Sequence, residues 1–320
     1  MSWVIGDEAK EISEAAGRRW RGLDPLLPEP GDLPEGCLPP LVAFGAHGRP
    51  AGLATCRHQH LPADSLAQTW NAATKFELTM RLREPDTRPA ADDLLGQWRD
   101  HLAGLPAASG GDTAAVVNWP ARDVSGVLAL LGHGLQPIAV IAVRPAGRPV
   151  PAHRNPPDLV IRQAGPDDLD IVTELEMGLV RYDALFGGAI LRPATEALVR
   201  AGVRTELGSR PAWTWLALHR GRPVGVAVVE PPDAAAWTAG MTRPGPTAYL
   251  QTMFIRPDER GGGTGAALVE HVHAALDARG VTLTLLHYAQ VNPLSAPFWS
   301  RMGYRPLWTS WEARPASTLR

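Results

Sequence analysis

Apolar positions in the second half of the chain switch repeatedly between two periods. Leu159–Gln163 reads as a strand. Pro166 to Leu185 has helical spacing, with Leu169, Val172, Leu175, Leu179 and Tyr182 on one side, and Pro193 to Leu207 predicts a second helix. Trp213–Arg220 and Val224–Glu230 alternate with period two across Gly221-Arg222-Pro223, a hairpin signature. A Pro/Gly-rich stretch, residues 231–246, leads to strand Thr247–Arg256. Helix Thr264–Arg279, strand Val281–Tyr288, a short helix around Ser295–Met302 and a closing strand to Ala313 complete the order. Strands alternating with helices around an internal hairpin indicate a mixed α/β sheet.

The first half repeats much of this order. Leu41–Arg57 is a hairpin turning at Gly48-Arg49-Pro50, Phe76–Glu84 a strand, and Asp92–Leu102 a helix. A strand at residues 114–120, a helix from Val124 to Leu131 and the segment 132–144 then parallel the closing elements of the second half. Order is shared and residues hardly at all, so a duplication and two unrelated small α/β folds both remain open. Between the halves, Pro145 to Asp158 holds five prolines in fourteen residues, a stiff extended linker. The expected division is residues 1–144, a linker at 145–158, and residues 159–320; a chain of 320 residues normally forms more than one core.

Composition narrows the partners. Apolar content of 45% with 20% charged residues is that of a soluble globular protein, and the formal net charge of −2 argues against nucleic acid or an anionic membrane. Cys37 and Cys56 are too few for a disulfide framework or a zinc site by count, and no metal is expected. The first twenty residues lack the pattern of a signal peptide, and the longest apolar stretch, Leu128 to Val143, is broken by Gly132, His133, Gly134 and Pro137. A cytoplasmic protein is the expectation.

The sharpest feature is residues 254–272. A strand ends at Arg256-Pro257, and Arg260-Gly261-Gly262-Gly263-Thr264-Gly265 opens a helix. Glycines admit positive φ and a close ligand, and amides at a helix start point outward at the positive end of the dipole, which suits a pyrophosphate. No Gly-Lys-Ser/Thr closes the loop, so it is not a Walker loop, and the glycine spacing is not that of the dinucleotide fingerprint.

Arg260, Gly263 and Gly265 resemble the Arg/Gln-x-x-Gly-x-Gly/Ala signature of the GNAT N-acetyltransferase superfamily, preceded by Ile255-Arg256-Pro257 where Val-x-Pro is usual. Downstream, Asn292, Ser295, Phe298, Trp299, Gly303 and Tyr304 follow the family's second block at normal separation. The resemblance covers about half the chain. Together with the repeated element order of the first half, it implies tandem GNAT-like α/β folds, each a mostly antiparallel mixed β-sheet flanked by helices, with an N-acyltransferase in the second half. Acetyl-CoA would be the co-substrate and a small-molecule or peptide amine the acceptor. Pantetheine would lie in a splay between two strands, pairing near Met253 and Ile255. Pyrophosphate would sit on residues 260–265, with Ala266 behind them. Asn292 would either reach the pantetheine arm or cap the next helix. The first half has no glycine turn after its matching strand, and no coenzyme A site is expected there.

Acyl transfer to an amine needs a neutral nucleophile, a polarised thioester carbonyl and a departing thiolate. The resemblance gives the carbonyl to the amide of Met253 or Phe254. Two positions depart from the family: Gln251 stands for the Glu of the water relay and Trp299 for the acidic Tyr, and neither side chain transfers such a proton. His287, five residues before Asn292, stands where some relatives keep a base, with Tyr288 beside it as a donor; the alternative is that His287 only packs at a strand end. Trp213, Trp215 and Trp237 either line an aromatic acceptor site or pack the sheet.

Overall fold

A computed structural model describes residues 5–45, 48–83, 87–151, 155–209 and 212–320. Parts of three sequence features, at residues 46–47 of the first hairpin, Glu84 at a strand end and residues 152–154 of the linker, lie outside the described residues, as do residues 210–211. In chain order the elements are α1 (Ile5–Leu23), β1 (Leu41–Phe44), β2 (Pro50–His60), β3 (Thr74–Leu82), α2 (Thr87–Ala103), β4 (Thr113–Pro120), α3 (Val124–Gly132) and β5 (Gln136–Pro145). There follow β6 (Leu159–Gln163), α4 (Leu169–Ala184), α5 (Thr195–Gly208), β7 (Thr214–His219), β8 (Arg222–Glu230), β9 (Thr247–Ile255), α6 (Thr264–Asp277), β10 (Leu283–Ala289), α7 (Ser295–Arg301) and β11 (Arg305–Ala313). Helix α1 is the one large element the sequence reading passes over, although Ile12, Ala16 and Trp20, each four residues apart, are its buried stripe.

Among the described residues eleven strands join one mixed sheet, ordered β1-β2-β3-β4-β11-β5-β10-β9-β8-β7-β6. The halves exchange strands. β11, from the end of the second half, pairs antiparallel with β4 from Trp308–Pro120 to Ala313–Ala115. β5, from the first half, pairs antiparallel with β10 from Leu283–Pro145 to Ala289–Ala139. The two exchanged strands also pair with each other, with register slips at Leu307 and beside Trp311.

Packing follows the exchange. Trp311 and Ala313 of β11 complete the core that α2 and α3 form over β1–β4. Val140 and Ala142 of β5 enter the core beneath α6. Ile141 and Val143, which alternation sends to the other face, pack with Trp20, Leu283, Leu285 and Trp308 under α1. Helices α4 and α5 cover Leu216, Val226, Val228 and Phe254 on that same face of the C-terminal strands. Among the described residues no helix is long and apolar enough to cross a membrane.

Candidate functional site

The sheet opens at two places where parallel neighbours part, between β3 and β4 beyond Glu77 and Val116, and between β9 and β10, where the glycine turn follows. β9 and β10 run parallel and pair only at Thr247–Leu283, Ala248–Thr284 and Tyr249–Leu285. Beyond Tyr249 they part, because different neighbours hold them: β8 keeps β9 as far as Ile255, while β5 keeps β10 as far as Ala289. The β8–β9 register slips between Val228 and Val229, which leaves Gln251 as an extra residue opposite the break. Such a bulge bends its strand and re-aims the side chains after it. From Leu250 to Ile255, including Met253 and Phe254, one backbone edge of β9 therefore faces the gap without a strand partner.

The glycine turn lies at the end of that edge. Arg256 donates its N–H to the Val224 carbonyl, a short 3-10 turn spans Pro257–Glu259, and α6 begins. Gly261 and Gly263 have φ of 83° and 95°, a region in which a side chain is strained. Gly265 lies against β9 without such a φ: a Cβ there would stand 3.1 Å from Cε of Met253, which would have to shift slightly. The amides of Thr264, Gly265 and Ala266 have no carbonyl to meet inside the helix, and they sit at its positive end. An added Cβ at Gly261 or Gly262 would meet nothing within 4 Å, so the turn has open space before it. Arg222 anchors the turn through Asp258 and Glu259, each at 2.8 Å, and His219 holds Glu259 at 2.8 Å.

Arg260 is turned back onto the fold. Its Nε donates to the Ile255 carbonyl at 2.9 Å, and its guanidinium lies 4.4 Å from the Tyr182 ring centroid and 5.4 Å from that of Phe254. Asn292 is buried and its Oδ1 accepts from the Leu294 N–H at 3.1 Å, so its side chain shapes the turn into α7. Trp299 is buried against Phe298 and Tyr304, with ring centroids at 4.9 and 5.2 Å. Strand alternation separates the two residues singled out on β10: Tyr288 packs toward the core under α6, while His287 faces the α4–α5 side.

On that side His287 has company that the sequence did not announce. Its Nδ1 lies 3.1 Å from the Tyr249 hydroxyl, and its ring stacks at 25° to Trp237 with centroids 6.4 Å apart. Trp237 meets Tyr249 edge-on at 4.9 Å and donates its indole N–H to Glu230 at 2.6 Å. Desolvation by the neighbouring protein pushes the His287 pKa down to about 4, and the exposure of the residue to solvent limits the effect. The imidazole is therefore neutral at pH 7. Burial raises the Tyr249 phenol far above its usual value, with the charge of Glu230 adding to it.

Two more carboxyls lie behind this group. Glu176 of α4 is buried, which raises its pKa well above the usual range, and the neighbouring charge of Glu206 on α5 raises it further. Glu206 is itself raised by burial, partly offset by a hydrogen bond with Gln251, while Glu230 adds repulsion. Oε1 of Glu176 and Oε2 of Glu206 have no hydrogen-bond partner among the described residues. Sequence reasoning missed this cluster. The signal was present: Glu176 is four residues after Val172, and Glu206 three after Val203, both on apolar faces where a carboxylate is costly. Trp213 and Trp215, 6.1 Å apart, have other duties; Trp215 is buried in the core under α6 and Trp213 packs at its margin beneath Arg279.

A splayed parallel pair closed by a glycine turn at a helix start is the arrangement the motif resemblance called for. Residues 210–306 match the family model of the acetyltransferase (GNAT) domain. The C-terminal half carries a GNAT domain. No curated protein is significantly similar to the chain. Among solved structures, a GCN5-related N-acetyltransferase from Sphaerobacter thermophilus is similar to it at 18% identity and a TM-score of 0.53, over 96% of this chain and 90% of that one, which shows a common fold. A tandem GNAT protein from the clavulanic acid biosynthesis pathway aligns over 94% of this chain and 95% of that one at 16% identity and a TM-score of 0.43. A GCN5-related N-acetyltransferase from Kribbella flavida aligns over 95% and 94% at 14% identity and a TM-score of 0.45.

Proposed function

We propose that the GNAT domain transfers an acetyl group from acetyl-CoA to an amine by direct attack in a ternary complex. The observation that carries this reading is the parting of β9 from β10 beyond Tyr249, with the Gly261–Gly265 turn at its foot. The freed edge at Met253 and Ile255 suits the pantetheine amides, and the outward amides of the first turn of α6 suit the pyrophosphate. Arg260 supports the turn through its side chain and leaves anion binding to backbone N–H groups.

The acceptor fits the other face. Trp237, Tyr249 and His287 form an aromatic wall, with Glu230 at its rim and Glu206 and Glu176 behind. An amine arriving as a cation is attracted to such a group and gives up its proton before attack. His287 suits the role of base in one tautomer, with Nδ1–H donating to the Tyr249 oxygen and Nε2 free to accept. The neutral amine then attacks the thioester carbon, the carbonyl oxygen takes charge beside the backbone amide of Met253 or Phe254, the attacking nitrogen passes its extra proton to Nε2 of His287 and on to water, and the C–S bond breaks. The thiolate leaves into water, since Trp299 has no proton to give and Tyr288 lies on the opposite face from His287.

The same buried Trp299, together with Gln251, favours a second reading, a GNAT-fold protein that binds acyl-CoA and turns it over poorly. A thiol-release assay with acetyl-CoA and a panel of amines separates the two. Amine-dependent release supports transfer; tight binding without release supports the sensor. For the first half we infer a supporting role without a coenzyme A site. The segment between β3 and α2 has no glycine, and α1 covers this part of the sheet, with Trp20 beneath the Arg81 guanidinium at 4.9 Å.

A further inference from the structure

Three soft-metal donors far apart in sequence converge on the outer end of the first half. Cys37 belongs to the segment between α1 and β1, His58 to the end of β2 and His101 to the last turn of α2. Their donor atoms all lie within 4.8 Å of one another. The two imidazoles present Nε2 to Nε2 at 3.4 Å, with rings nearly parallel at 23°. The backbone sets the cysteine in place: the Cys37 N–H donates to the Cys56 carbonyl at 2.8 Å, and its thiol points to the same oxygen at 3.2 Å.

We propose that Cys37, His58 and His101 form a site for a divalent zinc-class cation, with water in the fourth position. Zinc binds imidazole nitrogen at about 2.0–2.1 Å and thiolate at about 2.3 Å, so tetrahedral ligands stand roughly 3.3–3.6 Å apart. The nitrogen pair already has that spacing, and the Cys37 sulfur, on an exposed residue, lies within 4.8 Å of both nitrogens and would turn from the Cys56 carbonyl to join them. Without a cation the pair is awkward, because two facing ring nitrogens share at most one hydrogen bond and repel when both are protonated. A thiolate with two imidazoles selects zinc or copper over magnesium or calcium. Binding releases the Cys37 thiol proton to solvent. Cys56 stays out of the set: it is buried, and its backbone carbonyl already holds Cys37. The site would fasten the segment after α1 to β2 and α2. It shares no residue with the GNAT domain.

The test uses the full chain, stripped with chelator and titrated with Zn²⁺ by calorimetry. One equivalent at micromolar strength or tighter is expected. Cys37→Ser, His58→Ala and His101→Ala should each weaken it roughly a hundredfold or more, beyond the usual loss from an outer-shell change. Co²⁺ in place of Zn²⁺ should give a thiolate-to-metal charge-transfer band that Cys37→Ser abolishes. Zinc should also raise the melting temperature of the wild type and not of the variants. Circular dichroism checks that each variant is folded. Absence of binding, or equal binding by all three folded variants, overturns the proposal.

Discussion

The Tyr249 hydroxyl and Nδ1 of His287 lie 3.1 Å apart across the point where their strands separate. This contact fixes the ring of the residue proposed as base. Desolvation lowers the His287 pKa toward about 4, so its neutral form is complete before pH 7 and any rise of kcat/KM due to its deprotonation falls on the acid side. A limb near or above neutrality then reports the amine. His287→Ala should lose roughly 10²- to 10⁴-fold in kcat, the usual worth of a positioned base, with acetyl-CoA affinity little changed. Steady-state rates with one amine over a pH series check both parts. Retention of most of the rate by the variant would make the histidine a packing residue.

Gly262 and Gly263 of the turn should answer differently to substitution. Gly262 is free of positive φ and open before the turn, so Gly262→Leu should keep the melting temperature and weaken acetyl-CoA binding more than tenfold, on the order of 1.4 kcal/mol. Gly263→Val should lose both affinity and stability, since φ is 95° there. Calorimetry with thermal unfolding reads both quantities. Full affinity in a folded Gly262→Leu protein would remove the pyrophosphate assignment.

Glu176 ties stability to pH. Its folded pKa is raised by burial and by Glu206, so its contribution is fully present below the unfolded value of about 4.3 and is lost as pH rises through the folded value. Glu176→Gln should therefore raise the melting temperature at pH 8, with the gain shrinking toward pH 4. If the carboxyl cluster attracts a cationic amine, the same variant should show a higher KM for the amine and an unchanged affinity for acetyl-CoA. A variant less stable at pH 8 would contradict the buried-charge account.

A fourth prediction concerns the exchanged strands. Removing residues 305–320 takes Trp311 and Ala313 from the core of the first half and bares the edges of β4 and β5. The truncated protein should lose the cooperative unfolding of both halves and aggregate, whereas the intact chain should melt in one transition. Differential scanning calorimetry decides it. Two independent transitions in the intact chain would mean that the halves are energetically separate despite the shared sheet.

The local elements and the glycine turn were legible because short-range rules create them. The period-two run at 247–256 became β9, and the glycine spacing became two positive-φ turns and a helix start. What joined distant positions was not legible. Nothing local in Arg305–Ala313 says that it pairs with β4 in place of the second half's own strands, since both candidate edges offer the same ladder of hydrogen bonds. The cluster proposed to face the acceptor was hidden for the same reason: Glu230, Tyr249 and His287 meet only after a bulge at Gln251 has set the facing of β9. Counting cysteines likewise gave no hint that Cys37 would stand beside two histidines.

The exchange of β5 and β11 also sets an order on assembly. β4 ends at Pro120, but the strand that completes its ladder begins at Arg305. During synthesis the first half must wait with an open edge while the second is made, and the second cannot seat β10 without β5 already in hand. Contacts so distant in sequence are slow to form, which leaves unpaired edges exposed for longer. Chaperone demand for this chain should accordingly track the time taken to translate past β11. The same interdependence bears on descent, because neither half can be lost, transplanted or replaced by itself without orphaning a strand of the other.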